Sequence, residues 1–349
     1  MSDGGKMAAI TLNDGHVVSD YGVPYFIAEV NSSHNGNLER AKEMISAAKQ
    51  AGADCVKFQS WTADTLYSKS YYDANPIAKR MVTRFSMSPE NLRECAAYCA
   101  DLGVGFSSTP YSKAEVDFLA ELNVPFIKVA SMDLNNYPYL EYIAQKQMPI
   151  ILSTGMADME EIEKAVQTIA ATGNDKLCLL HCVSIYPPDN SIINLNQILA
   201  LREKFPKYPI GYSDHSLGIE VPSAAIALGA GVIEKHFTLD KSKMGWDNGM
   251  AMEPDEFAKL VECCKNVQTA MGSKERIVPE AELKQRANMR RSIIAALDLP
   301  KGKVLEFADM DAKRPGTGLP PEMMVRLVGK RLTRDIEKDT LINAEDIVD

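Results

Sequence analysis

Between about residues 25 and 272 short apolar, β-rich runs alternate with longer stretches in which apolar positions recur every three or four residues. A run of four to eight apolar residues closed by polar ones predicts a buried strand, and 3–4 spacing predicts a helix with one apolar face. The strand runs are YFIAEV, DCVKFQ, GVGFSSTP, PFIKVAS, PIILST, KLCLLHC, PIGYSDH and GVIEKHF. Between them, LERAKEMISAAKQAGA spaces Leu38, Ala41, Met44, Ile45 and Ala48 along one face and ends at Gly52. SPENLRECAAYCADLG begins on Ser88 with proline at the first helical position and stops at Gly103, and ADMEEIEKAVQTIAATG crowds acidic residues into its first turn before Gly173. These are helix start and stop signals. Eight strand and helix units predict an α/β fold, a TIM-type (β/α)8 barrel over 25–272, whose chemistry gathers at the C-terminal strand ends.

Two flanks depart from that rhythm. Within residues 1–24, ITLNDGHVV alternates around an Asn-Asp-Gly turn and predicts a hairpin that caps the barrel bottom. Residues 273–289, SKERIVPEAELKQRANM, are charged and lack an apolar face, and read as a linker. Residues 290–349 carry short β-like runs, SIIAALDLP, KGKVLEF and AKRPGTG, and form a small β-rich domain with a meagre core of its own.

Composition narrows the function. With 46% hydrophobic residues and no run near the length of a membrane span, the chain reads as soluble, and its N-terminus lacks the pattern of an export signal, which makes cytoplasm the expected location. Seven cysteines with no CxxC lie mostly in apolar elements and read as reduced core residues. A net charge of -9 argues against nucleic-acid binding, so an anionic ligand must be held by local positive groups.

Such groups stand at the strand ends: Glu29; Lys57 and Gln59; Ser107, Ser108 and Thr109; Lys128 and Ser131; Ser153 and Thr154; His181; Ser213, Asp214 and His215; Glu234 and His236. A buried strand excludes Lys and Glu unless they are paired or face a ligand. Residues two apart share a side, which pairs Lys57 with Gln59, Ser213 with His215 and Glu234 with His236. Inward lysines among serines and a threonine suit a ligand carrying phosphate and carboxylate. His215 and His236, on successive strands, suit an open divalent metal site, Mn2+ foremost with Mg2+ or Co2+ as alternatives. Glu29 has two readings, a proton shuttle or an ion pair with Lys57 or Lys128. In the Gly-rich loop DKSKMGWDNGMAMEP, Asp247 stands near the mouth, where it binds sugar hydroxyls or is simply an acidic surface residue.

The runs FIAEVNSSHNGNLERAKEMISAAKQAGADCVKFQ, STPYS, IKVAS, ILSTGM, LLHCVSIYP, IGYSDHS, EKHFTLD and AKRPGTG are similar to those of the bacterial sialic acid synthase family, legionaminic and pseudaminic acid synthases included. The resemblance covers the barrel and a C-terminal antifreeze-like (SAF) domain. It implies condensation of phosphoenolpyruvate with an N-acylated hexose, N-acetylmannosamine or a 2,4-diacetamido-6-deoxyhexose, to a nine-carbon 2-keto acid with release of phosphate. By motif, His215 and His236 would bind the metal, and Lys57, Thr109, Lys128, Ser131, Ser153 and Ser213 would hold phosphoenolpyruvate. Gln59, Tyr186 and Asp247 would face the sugar, with Glu29 between the substrates. Family members form homodimers in which each antifreeze-like domain covers the partner's barrel, so Arg314 would act in trans on the N-acyl end. Three positions depart from the family pattern: Asp133 replaces a glutamate, Ser184 an asparagine, and Asn288 an aromatic residue of the sugar pocket. They tilt the acceptor toward the diacetamido sugar. Two other readings compete, a Schiff-base aldolase using Lys128 and a saccharide-binding protein without turnover.

Overall fold

The computed structural model describes residues 7–348 and divides the chain into two units, 1–272 and 273–349. In the first unit β1 (Ala9–Thr11) and β2 (Val17–Ser19) form an antiparallel hairpin. Eight parallel strands follow: β3 (Tyr25–Glu29), β4 (Cys55–Ser60), β5 (Gly105–Pro110), β6 (Ile127–Val129), β7 (Ile150–Ser153), β8 (Leu177–Cys182), β9 (Ile210–Asp214) and β10 (Val232–His236). Each strand run read from the sequence is one of these.

The strands lie in the order β5-β4-β3-β10-β9-β8-β7-β6, so the sheet curls until its first and last members meet. Among the described residues no backbone ladder joins β5 to β6; Ser107 Oγ crosses the seam instead, donating to the Phe126 carbonyl at 2.7 Å. Outward residues such as Phe26, Val56, Phe58 and Leu179 pack with the apolar faces of the surrounding helices, including Ala41, Met44, Ile45 and Ala48. Inward residues near the strand starts, among them Tyr25, Ile27, Cys55, Phe126, Ile151, Leu180 and Val232, form a second core with Ile10, Leu12 and Val18 of the hairpin. The hairpin therefore plugs the N-terminal end and leaves the other end open.

Helix ends follow the sequence signals. Asn37 and Ser88 accept from Arg40 N and Asn91 N, and Asp158 and Glu161 form a reciprocal capping box. Gly52, at φ +92°, turns the chain after the first helix, where a Cβ would sit 3.1 Å from Val261. One stretch carried no expectation and is structured: after β4, helices Ala63–Leu66, Lys69–Ala74 and Pro76–Phe85 pack around Trp61, Tyr72, Val82 and Phe85. No helix among the described residues is long and apolar enough to cross a membrane.

The second unit departs in two places from the sequence reading. Residues Glu280–Met289, expected as linker, form a helix with no buried side chain. Strong helix formers after Pro279 suffice for this without an apolar face. In KGKVLEF only Val304 makes an isolated bridge, to Arg331. The antiparallel pairs that do form are β11 (Ser292–Ala295) with β12 (Met310–Lys313) and β13 (Arg331–Leu332) with β14 (Ile347–Val348). They enclose a small core of Ile293, Leu299, Leu305, Leu327, Ile336 and Ile342.

Candidate active site

Period-two alternation sends every second side chain of each barrel strand inward. Below, those side chains are apolar; above, they are Glu29, Lys57, Gln59, Thr109, Lys128, Ser153, Cys182, Ser213, His215, Glu234 and His236, which line a cavity of about 370 Å³ at the C-terminal mouth. Register sets the order. His236 lies level with Glu29 and Glu29 with Lys57, while Glu234 lies level with Ser213.

Four charged groups, each 1–5% exposed, interlock at the floor. Lys57 Nζ pairs with Glu29 Oε2, donates to Thr109 Oγ1 at 3.1 Å and lies 3.7 Å from Glu234 Oε2. Lys128 Nζ lies 3.6 Å from Glu234 Oε1 and donates to Ser153 Oγ at 2.8 Å. Ser213 Oγ donates to the same Glu234 oxygen at 2.8 Å. Two ammonium groups and two carboxylates balance, which is what makes their burial tolerable.

The two carboxylates are not equivalent. Burial lifts Glu29 above the usual carboxylate range; Lys57 pulls it down, Glu234 pushes it up, and the net shift is upward. Burial acts on Glu234 as well, but Lys128 and Lys57 outweigh it and hold this group at about 2. The lysines diverge too. Burial lowers both; Glu234 and Glu29 bring Lys57 above its ordinary value, whereas Lys128, repelled by Lys57, stays below. The two carboxylates are thus pushed apart, Glu29 upward and Glu234 downward, the latter held as an anion between two lysines.

Above this floor His215 and His236 face one another with ring centroids 5.3 Å apart, and Tyr186 lies 4.1 Å from His215. His215 Nδ1 is 2.8 Å from the Val183 carbonyl. A carbonyl only accepts, so Nδ1 carries a proton; burial opposes the charged ring, but Cys182 and the Val183 carbonyl bring His215 above its ordinary value. Burial, then repulsion by His215 and Lys57, holds His236 well below its ordinary value, so its ring is neutral at pH 7. Asp247 Oδ2 lies 3.7 Å from His236 Nδ1. Among the described residues no third His, Cys, Asp or Glu joins the pair as a ready ligand set.

Opposite, Ser131 and Ser184 converge on Gly155. A Cβ there would come within 2.4 Å of Ser184 Oγ and 2.8 Å of Ser131 Oγ, so only glycine admits both hydroxyls. Ser131 Oγ accepts from Gly155 N at 3.0 Å, while Ser184 Oγ is buried with no partner among the described residues. Toward the mouth, Tyr111 OH and Trp61 Nε1 donate to Gln59 Oε1 at 2.7 and 3.2 Å. Gln59 Nε2 is thereby aimed at Glu29 Oε1, 3.3 Å away.

Of the residues singled out in sequence, Asp133 is not among those lining the cavity. It ends the turn Ser131–Asp133, where three residues per turn send positions 131 and 133 in different directions, and Asn136 Nδ2 donates to it at 3.3 Å. Arg314 belongs to the second unit, where its Nε donates to the Met289 carbonyl at 3.2 Å. His181 faces outward; its Nε2 is 2.7 Å from the Ile193 carbonyl and its ring stacks on Tyr212. Its neighbour Cys182 takes the inward place. Strand parity, which paired Glu234 with His236, would also have found Cys182, but Asn31, Trp61 and Tyr111 lie on or beside loops that parity does not reach.

The sequence model of the NeuB family matches residues 44–276, and that of the SAF domain matches residues 290–348. An N,N'-diacetyllegionaminic acid synthase of Legionella pneumophila is 40% identical over 336 residues, covering 93% of this chain and 94% of its own. Human N-acetylneuraminate-9-phosphate synthase is 36% identical over 335 residues, covering 93% and 92%. Among solved structures, an N-acetylneuraminic acid synthetase from Leptospira borgpetersenii superposes with a TM-score of 0.74 at 33% identity, over 80% of this chain and 95% of its own. With a barrel of this topology, a charged floor beneath paired histidines, and relatives that align along nearly its whole length, the chain belongs to the NeuB family.

Proposed function

We propose that this chain condenses phosphoenolpyruvate with an N-acylated hexose and water, giving a sialic-acid-like 2-keto-3-deoxy-nonulosonate and phosphate. The observation that carries the reading is the floor of the cavity. Two buried lysines, the converging hydroxyls of Ser131 and Ser184, and Ser153, Ser213 and Thr109 offer positive charge and many donors to a ligand with phosphate and carboxylate ends. Bond by bond, C3 of the enol joins the aldehyde carbon of the open-chain sugar, whose oxygen takes a proton. Water then adds to C2, and phosphate leaves with the C2–O electron pair. Lys57 and Lys128 neutralise the anion throughout, and Glu234 keeps both ammonium groups in place. Glu29, lifted by burial and touching Lys57, Gln59 and the Asn31 N–H, is the group able to move a proton beside the aldehyde.

The histidine pair fits a divalent metal, Mn2+ by donor type, because the neutral His236 ring presents a lone pair and His215, its Nδ1 held by the Val183 carbonyl, would offer Nε2 to a metal that displaces a proton there, with positions left open for other ligands. Bound there, the metal would act as a Lewis acid toward the aldehyde oxygen. The reading places the chain in the cytoplasm, where phosphoenolpyruvate is made. Of the two acceptor classes, we favour the diacetamido-6-deoxyhexose, since Leu66, Tyr67, Met132, Met156 and Trp246 make much of the lining apolar. The test is a panel: purified protein, Mn2+, phosphoenolpyruvate and a series of N-acyl hexoses, with phosphate release as the readout. Release only with an N-acyl hexose present is expected. Release with none of them would reject the reading.

A homodimer in which the second unit of one chain serves the partner's barrel completes the proposal. Mixing Arg314→Ala and His236→Ala chains, each inactive alone, is expected to restore up to about one quarter of wild-type activity by random pairing. No restoration would overturn it.

A further inference from the structure

Asn31 sits just past the end of β3, lines the cavity and is 6% exposed. Its backbone lies at φ +36°, on the side of conformational space where glycine is free and other residues are held at a cost. Asparagine tolerates this better than most side chains. Backbone comfort alone would favour glycine, so the amide side chain requires its own reason.

Both nitrogens of Asn31 donate within the protein. Its N–H donates to Glu29 Oε1 at 2.8 Å, and its Nδ2 donates to Asp247 Oδ2. The carboxylate settles which way the amide points, because the reverse orientation would set two oxygens against each other. Oδ1 is left, buried and without a hydrogen-bond partner among the described residues. Buried carbonyl oxygens of this kind are normally paired. Neighbouring residues tie the same two loops together. Ser32 Oγ accepts from Trp246 N at 3.2 Å, and Ser33 Oγ bonds Asn248 Oδ1.

Resting on the function proposed above, we infer that Asn31 is an acceptor-binding residue whose Oδ1 takes a hydroxyl or amide N–H of the sugar beside Asp247. A phosphate, a carboxylate or an acyl oxygen has no proton to offer this atom, so phosphoenolpyruvate is excluded from it. The cavity is thereby divided by hydrogen-bond polarity. Lysines and hydroxyls face the anion, while Asn31, Asp247 and Glu29 present oxygens to the sugar. Asn31 is a specificity residue, distinct from the groups that move protons.

The experiment is an enzyme–substrate cycle: wild type and Asn31→Ala, each assayed with the preferred acceptor and with analogues lacking one hydroxyl or one amide N–H. KM for the full acceptor is expected to rise about tenfold in the variant, with KM for phosphoenolpyruvate within about twofold. One analogue should lose about as much on wild type and nothing further on the variant. Equal added losses on every analogue would mean that Asn31 only braces the 246–248 loop, and the inference would fall. If Asn31→Ala does not fold, an acceptor-bound crystal structure of the wild type decides: an O–H or N–H donor within hydrogen-bond reach of Oδ1 is expected, and carbon or an anion there overturns the inference. Wild type that releases no phosphate with any N-acyl hexose would instead reject the function itself.

Discussion

Lys57→Met is expected to lower kcat/KM for phosphoenolpyruvate by about 10²–10³ and to destabilise the fold by about 3–5 kcal/mol, the cost of leaving buried charge uncompensated. The two losses share one origin. Lys57 is the contact of Glu29, lies 3.7 Å from Glu234, and holds Thr109. Methionine fills the volume but leaves two buried carboxylates facing Lys128 alone. Their pKa values in the folded chain must then rise, so the folded state binds protons that the unfolded chain does not. Stability of the variant should therefore increase as pH falls from 8 toward 5. Wild type, in which Glu234 is held at about 2, lacks that contribution from this residue over the same window. Values of kcat/KM for phosphoenolpyruvate check the first half, and denaturant midpoints across pH check the second. A variant as stable at pH 8 as wild type would show that the floor charges are not coupled as described.

Stripping divalent metal with EDTA is expected to reduce condensation by at least about 10³, the kinetic equivalent of several kcal/mol of lost electrostatic stabilisation, with Mn2+ restoring it. His236→Ala should show the same loss and no rescue by added Mn2+. Direct binding separates the two causes. The wild-type chain should take up Mn2+ as read by its paramagnetic signal, and the variant should not. This pair of results also decides against the Schiff-base reading, which has one point in its favour: burial depresses Lys128, as an amine nucleophile requires. Yet Lys128 is engaged by Ser153 and lies 3.6 Å from Glu234. Activity indifferent to EDTA, with pyruvate trapped on Lys128 by borohydride, would reverse the assignment.

The barrel was legible because its signals are local and repeated. Eight apolar runs, each followed by a 3–4 pattern with caps, leave little room for another architecture. The floor of the site was legible for a related reason: a lysine or glutamate inside a buried strand is costly enough to announce itself, as at Glu29, Lys57 and Lys128. What escaped depends on direction or on irregular backbone. His181 was the strand-end residue named on β8 and Cys182 was read as core, but parity sends only Cys182 inward. Asp133 was placed by its correspondence to a family glutamate, and the tight turn after β6 leaves it out of the cavity lining. The helix Glu280–Met289 has no buried side, so the hydrophobic pattern could not reveal it. Asn31 gave no sign at all, because its significance lies in a positive φ and an oxygen without a partner.

The seam between β5 and β6 has a mechanical consequence. A closed ladder resists opening all around its circumference, whereas among the described residues this wall is joined at the seam by the Ser107 side chain in place of a ladder, with Thr109 on one lip and Lys128 on the other. A molecule gripped by both lips would act as a second rivet. Substrate that spans the seam would stiffen the wall that holds it, and product release would return the ring to its softer state.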